Sequence, residues 1–264
     1  MTRATPPGTE LWILAEDDVD VVTERLDAHA SLSADEIARL GRLVRQGSQR
    51  RHIGARLLAR WALARHTGTT PAEVEFAHGP FGRPRLAGAS PAVDFNLTHT
   101  DGLIACAITP YGRIGLDAES YPAREAALTL VPTVLTAREQ ARLGSMPTHA
   151  RAGALAEHWV LKEAYTKALG LGLHRRFDSF DIRDDGERLG VHDPHADAQP
   201  LPDWQLRLLR CGEGHVMALA AQHDEQAVIA RLDIIDAALV LAGHVGATAL
   251  ALPRPQERMS GIAA

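Results

Sequence analysis

The chain has 264 residues, of which 45% are hydrophobic and 23% are charged. This is the composition of an ordinary globular protein, long enough for one large domain or two smaller ones. Its formal net charge of -5 argues against broad nucleic-acid binding, because proteins with that function carry a basic balance or a basic stripe.

The cysteines and the apolar segments indicate the cellular compartment in which the protein is expected. Cys106 and Cys211 lie in segments typical of buried strands, which predicts reduced core thiols and no disulfide framework. No apolar stretch of signal-peptide length follows the N-terminus, so we expect a cytoplasmic protein. The apolar segment 234–252 is interrupted by Asp236 and His244 and is too broken to span a membrane. We expect a terminal helix or strand packed on the protein there, or a contact surface.

In the first half of the chain, the sequence predicts two single strands, two helices and a hairpin. An apolar strand is expected at 11–15, and Ser33 with Glu36 forms a capping box that opens a helix. Helical spacing of apolar residues covers 49–65. A short helical turn at Pro71, a strand at 74–78 and a turn at 79–82 come next. Strands at 94–98 and 103–108 are joined by an Asp-Gly turn, which predicts a hairpin.

The second half repeats this order. A strand is expected at 113–117, and the segments that follow predict helices at 124–130, 137–143 and 152–169, and strands at 180–183, 204–209 and 216–220. The apolar runs that begin at Gly102 and Gly214 occupy equivalent places in the two halves. This echo suggests, without proving, an internal repeat.

Two carboxylates follow the apolar run 113–116. Asp117 and Glu119 are two residues apart, so in a strand both side chains project from one face. The pair suits a metal ion, although a solvated strand end is the commoner meaning of such a pattern.

A second acidic site lies on the helix predicted at 152–169. Glu163 and Lys167 are four residues apart, so they share one helix face about one turn apart. Alone, such a pair is most often a surface ion pair. The helix is expected to end at Gly170 or Gly172.

Three further segments suit phosphate: Gln49-Arg-Arg51 leading to Arg56 and Arg60, Phe81-Gly-Arg-Pro-Arg-Leu86, and Phe95-Asn-Leu-Thr-His-Thr100. The most specific pattern is Trp159-x-x-Lys162-Glu163-Ala-x-x-Lys167, followed by Gly-Leu-Gly-Leu173. Taken together, from about residue 33 to about residue 221, these motifs resemble the 4'-phosphopantetheinyl transferase superfamily in its long, two-subdomain (surfactin-synthetase-activating) type.

The resemblance implies an α+β fold of two similar subdomains related by a pseudo-twofold axis, with the active site at their interface. We expect residues 1–116 to contact the adenine and phosphates of coenzyme A. Residues 117–264 would hold the metal site, the helix with the Trp159 motif, and a tail from about 234 of unassigned role. Two fused halves make a monomer the expected state.

The resemblance also implies an activity. Such an enzyme transfers the 4'-phosphopantetheine arm of coenzyme A to a serine of an apo acyl, peptidyl or polyketide carrier protein, releases 3',5'-ADP and depends on Mg²⁺. Fatty acid or secondary metabolite synthesis would use the product, and neither nucleic acid nor membrane would be a partner. The alternative is a regulatory protein that binds coenzyme A or a carrier without transferring anything.

Several site residues follow from the resemblance alone. Asp117, Glu119 and Glu163 would bind Mg²⁺, and Glu163, or a water that it orients, would deprotonate the serine. Lys167 would touch the phosphates and stabilise charge on the leaving group. Lys162, about 100° around the helix, would be a second catalytic cation.

The expected coenzyme A contacts lie mostly in the first half: Arg39, Arg51, Arg83, Pro84, Thr98 and His99, with Lys167 from the second half. His99 would contact phosphates, although a lone histidine in a hairpin more often caps the turn. Arg51 would bind the 3'-phosphate, where a solvated helix arginine is the competing interpretation. Relatives often place a lysine upstream of this arginine, where this chain has Glu36; Arg39 is the replacement we expect.

Three remaining features allow two interpretations each. Glu139 matches a family glutamate near the active site and equally forms a capping box with Thr136. The stretch 126–135 matches the region where relatives dock carriers, or is an ordinary core helix interrupted by Pro132. His192 and His195 could suggest zinc, but two histidines in a polar, proline-containing loop are more often solvent exposed.

Overall fold

The structure is a computed structural model, and it describes residues 8–26, 28–88, 93–110, 112–184, 188–194, 204–222, 232–237, 240 and 254–256. The helices are α1 (Val19–Arg25), α2 (Ala28–Ser31), α3 (Ala34–Leu40), α4 (Gln46–Thr67), α5 (Val131–Val134), α6 (Ala137–Ser145) and α7 (Thr148–Leu169). Single 3₁₀ turns lie at Glu16–Asp18, Pro71–Glu73, Glu125–Leu130, Gly172–His174 and Phe177–Ser179. The strands are β1 (Thr9–Ala15), β2 (Phe76–His78), β3 (Pro84–Leu86), β4 (Asp94–Thr100), β5 (Leu103–Thr109), β6 (Arg113–Ser120), β7 (Asp181–Asp184), β8 (Leu189–His192), β9 (Trp204–Cys211), β10 (His215–Gln222), β11 (Leu232–Asp236) and β12 (Arg254–Gln256).

The first sheet has the strand order β11-β1-β5-β4. Strand β5 is antiparallel to both β1 and β4, and β11 is parallel to β1. Helix α4 covers one face of this sheet, where Leu58 and Ala62 pack in one core with Trp12 and Ile104. The predicted hairpin β4–β5 turns at Gly102, whose φ of 85° favours glycine.

The second sheet has the order β6-β10-β9-β8-β7, and β12 pairs with β9. Helix α7 covers one face, where Val160 and Ala164 share a core with Val216 and Ala218. The mixture of helices and largely antiparallel sheets is the predicted α+β class.

The two sheets meet through a third core. Leu11 and Ile13 of β1 are buried in one cluster with Met217 and Leu219 of β10, whereas their strand neighbours face the helices. Each sheet therefore has a helix on one face and the other sheet on the opposite face. Strand β6 follows the same alternation: Ile114, Leu116 and Ala118 belong to the core between the sheets, which leaves Gly115, Asp117 and Glu119 to face α7.

Strands β4 and β6 run side by side along a line that we call the seam. Across it, hydrogen bonds to side chains take the place of the backbone hydrogen bonds that join neighbouring strands of a sheet. Three polar side chains at alternate positions of β4 accept hydrogen bonds from backbone N–H groups at alternate positions of β6. The pairs are Ile114 N to Asp94 Oδ2 at 2.9 Å, Leu116 N to Asn96 Oδ1 at 3.0 Å, and Ala118 N to Thr98 Oγ1 at 3.2 Å. Every second amide of β6 is thereby satisfied without a backbone partner from β4.

Helix α7 lies unusually close to β6. A Cβ added at Gly115 would stand 1.9 Å from the carbonyl oxygen of Ala164, so only glycine fits there. The helix ends at Gly170, whose φ is 78°, the left-handed cap that the sequence predicts.

Most of the predicted elements are confirmed, including the capping box at Ser33 and Glu36 and the buried free thiols Cys106 and Cys211. Helices α1 and α2 and strands β3, β8 and β12 were not predicted. Helix α7 begins at Thr148, four residues before the expected start. Part of the tail is strand β11, which is the strand alternative for that segment, whereas most of 238–253 lies outside the described residues, as does His195. Among the described helices, none combines the length and the apolar character that crossing a membrane requires.

Candidate active site at the seam

Three carboxylates line one cavity of about 400 Å³ at the seam, which we call the seam cavity. Asp117 and Glu119 reach it from β6, two residues apart on the face that looks towards α7. Glu163 reaches it from α7. The sequence predicted that Asp117 and Glu119 share one face of a strand, and that Glu163 shares one face of a helix with Lys167. The structure brings the three carboxylates into one cavity.

Lys167 completes this group. Its ammonium donates to Asp117 Oδ1 at 2.6 Å and to the carbonyl oxygen of Leu116 at 3.2 Å. Glu163 and Lys167 both line the seam cavity, as expected for positions one turn apart on a helix. Lys167 is therefore a cation held at the carboxylates, on a side chain that is about a quarter exposed.

Burial and mutual repulsion disfavour the charged form of these carboxylates. Burial raises the pKa of Asp117, which the ammonium of Lys167 opposes. Burial and then the neighbouring Asp117 raise the pKa of Glu119. Burial raises the pKa of Glu163 to about 7, with smaller contributions from Asp117 and Glu119 against that of Lys167. Clustered carboxylates of this kind favour a positive partner.

The donor set fits a hard divalent cation such as Mg²⁺, which prefers oxygen ligands from one or two carboxylates. Asp117 Oδ2 and Glu163 Oε2 are buried and have no hydrogen-bond partner, although buried polar atoms normally have one. No three acidic, histidine or cysteine side chains in the described ranges are already arranged as a metal site. Asp117 instead uses its other oxygen for Lys167, so a cation would share this carboxylate with the lysine.

Thr98 and His99 follow each other on β4 at the wall of the seam cavity. The hydroxyl of Thr98 is buried; it donates to Asp117 Oδ1 at 3.2 Å and accepts from Ala118 N. Its single proton is therefore already directed at a carboxylate, and not at a site for a phosphate. His99 lines the cavity, and burial, then Arg51 and Lys167, lower its pKa.

Arg51 and Pro84 line two different cavities. Arg51 lies in a neighbouring cavity of about 600 Å³, where its guanidinium contacts Glu16 at 2.9 Å and Asp101 at 2.6 Å. Pro84 lines the seam cavity directly. Arg51 is therefore not a solvated helix arginine. Its guanidinium contacts two carboxylates, whereas the resemblance implied that it would bind the 3'-phosphate.

A third cavity of about 730 Å³, which we call the basic cavity, contains Arg39. Its lining includes four arginines, Arg39, Arg42, Arg56 and Arg60, and three carboxylates, Asp35, Glu36 and Glu75. Arg60 is committed to Glu36 at 2.8 Å, whereas Arg56 is 3.9 Å from that carboxylate. Arg56 also lines the seam cavity, so it connects the two.

Lys162 requires a correction, because the structure does not bring it to the site. Its side chain is fully buried, 2.7 Å from Glu139, and donates to the carbonyl oxygens of Phe177 and Phe180. The step of about 100° from Glu163 points it into the core behind α7. Glu139 forms the expected capping box with Thr136 and is likewise turned inwards, away from the three carboxylates.

Arg83 is also placed differently from the sequence prediction. Its guanidinium is largely buried and bonded to backbone carbonyls and to Asp94. Only its neighbour Pro84 is among the residues that line the seam cavity.

The sequence analysis did not assign His52, Arg56, Trp159 and Leu173, all of which line the seam cavity. Trp159 stands one turn before Glu163 on the same helix face, which is a signal that could have found it. Arg56 was noticed only as part of an arginine-rich stretch. Leu173 is 71% exposed, and the sequence analysis noted it only as the end of the Gly-Leu-Gly-Leu173 run.

The cavity of about 600 Å³, which we call the apolar groove, borders the seam cavity. It shares His52, His99, Glu119 and Trp159 with that cavity. Its apolar wall is formed by Ala123, Ala127, Leu130, Leu155 and Ala156, together with Leu43 from the opposite side. The stretch 126–135 therefore contributes to a surface groove, with Val134 and Leu135 buried behind it.

The chain is similar to proteins of one known family. A model of the 4'-phosphopantetheinyl transferase superfamily matches residues 113–220, which contain β6 and α7. The chain is similar to 4'-phosphopantetheinyl transferase HetI of a Nostoc species, with 30% identity over 80% of this chain and 86% of the relative. It is also similar to a 4'-phosphopantetheinyl transferase of Bacillus subtilis, with 26% identity over 74% of this chain and 84% of that protein. A phosphopantetheinyl transferase of a Thraustochytrium species shares 26% identity over 83% of this chain and 80% of its own. Because the similarity extends over most of both chains and the family model includes the strand and the helix that carry the three carboxylates, the protein belongs to the 4'-phosphopantetheinyl transferase superfamily.

Proposed function

We propose that this protein transfers the 4'-phosphopantetheine arm of coenzyme A to a serine of an apo carrier protein, releases 3',5'-ADP and uses Mg²⁺. The observation that carries the proposal is the convergence of Asp117, Glu119, Glu163 and Lys167 on one cavity in a chain of this superfamily. The protein supplies no nucleophile of its own, since the carrier serine provides it.

The bond changes define what the site must do. The serine oxygen forms a bond to the β-phosphorus of coenzyme A, and the bond from that phosphorus to the bridging oxygen breaks. The electron pair of the broken bond leaves with 3',5'-ADP. The serine proton must go to a base, and the charge on the leaving phosphate must be compensated.

Asp117, Glu119 and Glu163 would hold the Mg²⁺. When bound, Mg²⁺ supplies charge neutralisation at the pyrophosphate and orients it for in-line attack. The two orphan carboxylate oxygens, Asp117 Oδ2 and Glu163 Oε2, support this assignment.

Glu163 is the candidate base. In the metal-free protein burial raises its pKa to about 7, and a bound cation would favour the ionised form that a base needs. It stands at the wall shared by the carboxylates and Trp159, next to the apolar groove. Glu163, or a water that it orients, would take the serine proton.

Lys167 would stabilise the leaving group. Its ammonium already lies in the seam cavity, 2.6 Å from Asp117. A cation held in this position before the reaction compensates developing phosphate charge without reorganisation. His99, in the same cavity, would donate to the phosphates.

The nucleotide end of coenzyme A would extend from the seam cavity past Pro84 and Arg56 towards the basic cavity. Arg39, Arg42 and Arg56 line that cavity, and guanidinium groups suit phosphate recognition. We therefore assign the 3'-phosphate to these arginines, with Arg39 among them. Arg51 would contribute only after exchanging Asp101 for phosphate.

The carrier would dock over the apolar groove. The groove opens next to Glu119 and Trp159, so a serine presented there reaches the carboxylates. Leu43 lies on one wall, and Ala127 and Leu130 lie on the other.

Product analysis tests the proposal. Wild-type protein, coenzyme A, Mg²⁺ and an apo carrier should yield one 3',5'-ADP for each holo carrier, quantified by chromatography, and a chelator should abolish both products. Coenzyme A binding without 3',5'-ADP release on any carrier would favour the binding-only alternative.

A further inference from the structure

Arg83 lies in the turn between β2 and β3, directly after Gly82, whose φ is 80°. The resemblance implied that this residue contacts coenzyme A. In the structure its side chain is only 10% exposed. Pro84, the next residue, lines the seam cavity, whereas Arg83 is not among the described residues that line it.

The guanidinium joins helix α7 to one strand of each sheet. One terminal nitrogen donates to the carbonyl oxygen of Ala168 in α7, at 2.6 Å. The other donates to Asp94 Oδ2 at 2.7 Å, to the carbonyl oxygen of Phe95 at 3.2 Å and to that of Ile114 at 2.7 Å. Asp94 and Phe95 belong to β4 and Ile114 to β6, so a single side chain contacts both sides of the seam and the helix.

The bond to Ala168 meets a specific need of α7. The last four carbonyl groups of a helix have no partner within it, and Arg83 satisfies one of them with a charged donor. Asp94 Oδ2, which holds the guanidinium, also accepts from Ile114 N at 2.9 Å. The network therefore fixes the start of β6 and the end of α7 together.

These two backbone segments carry catalytic groups. Ala168 directly follows Lys167, and Ile114 precedes Asp117 by three residues. The ammonium of Lys167 and the carboxylate of Asp117 are 2.6 Å apart, and a shift of α7 along β6 would separate them.

We propose that Arg83 is a positioning residue for phosphoryl transfer, which holds the end of α7 and the start of β6 in the register that brings Lys167 to Asp117, and that its guanidinium does not contact coenzyme A. The inference rests on the proposed function. It makes Arg83 a link between the turn that adjoins the nucleotide side of the site and the helix that carries Glu163 and Lys167.

The test compares three variants with the wild type. Arg83→Met removes the charge and all four bonds, and Arg83→Lys keeps the charge beside Asp94 but loses the planar fork. Arg65→Met is the control, because Arg65 is exposed near the end of α4 and lies outside the segments that suit phosphate. Turnover, the KM for coenzyme A and the Kd for coenzyme A are measured for each, below the melting temperature.

We expect Arg83→Met to lower kcat by 10-fold or more and to change the KM and Kd for coenzyme A by less than about 3-fold. Arg83→Lys should be intermediate in kcat, and Arg65→Met should match the wild type. A readout independent of activity is hydrogen exchange. The peptide that contains the last turn of α7 should exchange faster in Arg83→Met, while α4 peptides stay unchanged.

Three results would overturn the inference. A Kd for coenzyme A weakened 10-fold or more, with kcat unchanged at saturation, would place Arg83 on the nucleotide. A lowered melting temperature with unchanged kcat in folded protein would make its role merely structural. Unchanged exchange at the end of α7 would show that Arg83 does not hold the helix. If the wild type loads no carrier, the proposed function fails and this inference falls with it, whereas an active wild type with any of the three results overturns this inference alone.

Discussion

At the residue scale, the ion pair between Asp117 and Lys167 and the orphan oxygens beside it define the site. One oxygen of Asp117 is occupied by Lys167 and Thr98, and the other is buried and unpaired. This division would let one carboxylate hold both the lysine and the proposed Mg²⁺. Thr98 orients Asp117, so its contribution is to the carboxylate and not to a phosphate.

Removing the charge of one carboxylate should separate chemistry from binding. We expect Asp117→Asn or Glu163→Gln to lower the rate of carrier modification by about 100-fold or more, because a metal ligand or the base is lost. The Kd for coenzyme A, measured with chelator present, should change by less than about 3-fold. Glu213→Gln, in the exposed turn between β9 and β10, is the control. Full activity in either site variant would refute its assignment.

The raised pKa of Glu163 makes stability depend on pH. The pKa is about 7 in the folded protein against an ordinary value of 4.5 for glutamate, so the folded state binds more protons between these values. The stability that protonated Glu163 contributes is complete below pH 4.5 and is lost as the pH rises through about 7. At pH 8, Glu163→Gln should therefore be more stable than the wild type by about 2 kcal/mol, since one pKa unit is worth about 1.4 kcal/mol and solvent screens part of it.

Urea denaturation in the presence of chelator, from pH 5 to pH 8, measures this difference. The advantage of Glu163→Gln should shrink as the pH falls towards 5, and Glu213→Gln should show no such trend. An advantage independent of pH, or a less stable Gln variant at pH 8, would contradict the assigned pKa.

At the element scale, the close packing of α7 on β6 sets the distances in the site. Gly115→Ala would bring a methyl group within 1.9 Å of the Ala164 carbonyl oxygen, and that atom is helix backbone, which cannot turn away. We expect a loss of about 3 kcal/mol in unfolding free energy, together with reduced transfer. Gly190→Ala in β8, where an added Cβ meets no atom within 4 Å, should be nearly neutral in the same denaturation assay. Equal stabilities would show that α7 does not lie where we describe it.

The buried pair of Lys162 and Glu139 holds the other side of α7. Lys162→Met leaves Glu139 charged and buried, which should cost about 3 to 5 kcal/mol. Lys162→Met combined with Glu139→Gln should recover part of this loss. Because Lys162 points away from the carboxylates, turnover per folded molecule should stay within about 3-fold of the wild type. A stable Lys162→Met protein that has lost transfer would restore the catalytic role first expected for Lys162.

The sequence could predict one face of α7 but not the other. The four-residue spacing of Glu163 and Lys167 and the two-residue spacing of Asp117 and Glu119 were enough to place those side chains together. Helix α7 is buried on nearly all sides, with Leu161, Lys162, Ala164 and Tyr165 all inaccessible. Outside the face of Glu163 and Lys167, the sequence of α7 therefore does not indicate which way Lys162 points.

At the scale of the whole molecule, the core between the sheets places residues from both halves of the chain around one site. Leu11 and Ile13 from the first sheet and Met217 and Leu219 from the second share that core. Strand β11, which follows β10 in the chain, returns to pair in parallel with β1. This pairing joins residues more than 200 positions apart, so no local pattern could have predicted it.

The contacts across the seam were beyond sequence reasoning for the same reason. Arginine at position 83 is a plausible phosphate ligand in isolation, and only the meeting of β4, β6 and α7 shows that both terminal nitrogens of its guanidinium already donate to acceptors within the fold. Asp94, Asn96 and Thr98 alternate as any half-buried strand does, and their bonds to the amides of β6 depend on the three-dimensional arrangement. The division of the chain near residue 116 stays a prediction.

The most direct test of the account is the intact mass of a panel of apo carrier proteins after incubation with this protein, coenzyme A and Mg²⁺. The account predicts a gain of one phosphopantetheine arm on at least one acyl, peptidyl or polyketide carrier, lost with chelator and strongly slowed in Glu163→Gln. No gain on any carrier, in the presence of measured coenzyme A binding, would contradict the transferase assignment and leave a protein that binds coenzyme A without transferring its arm.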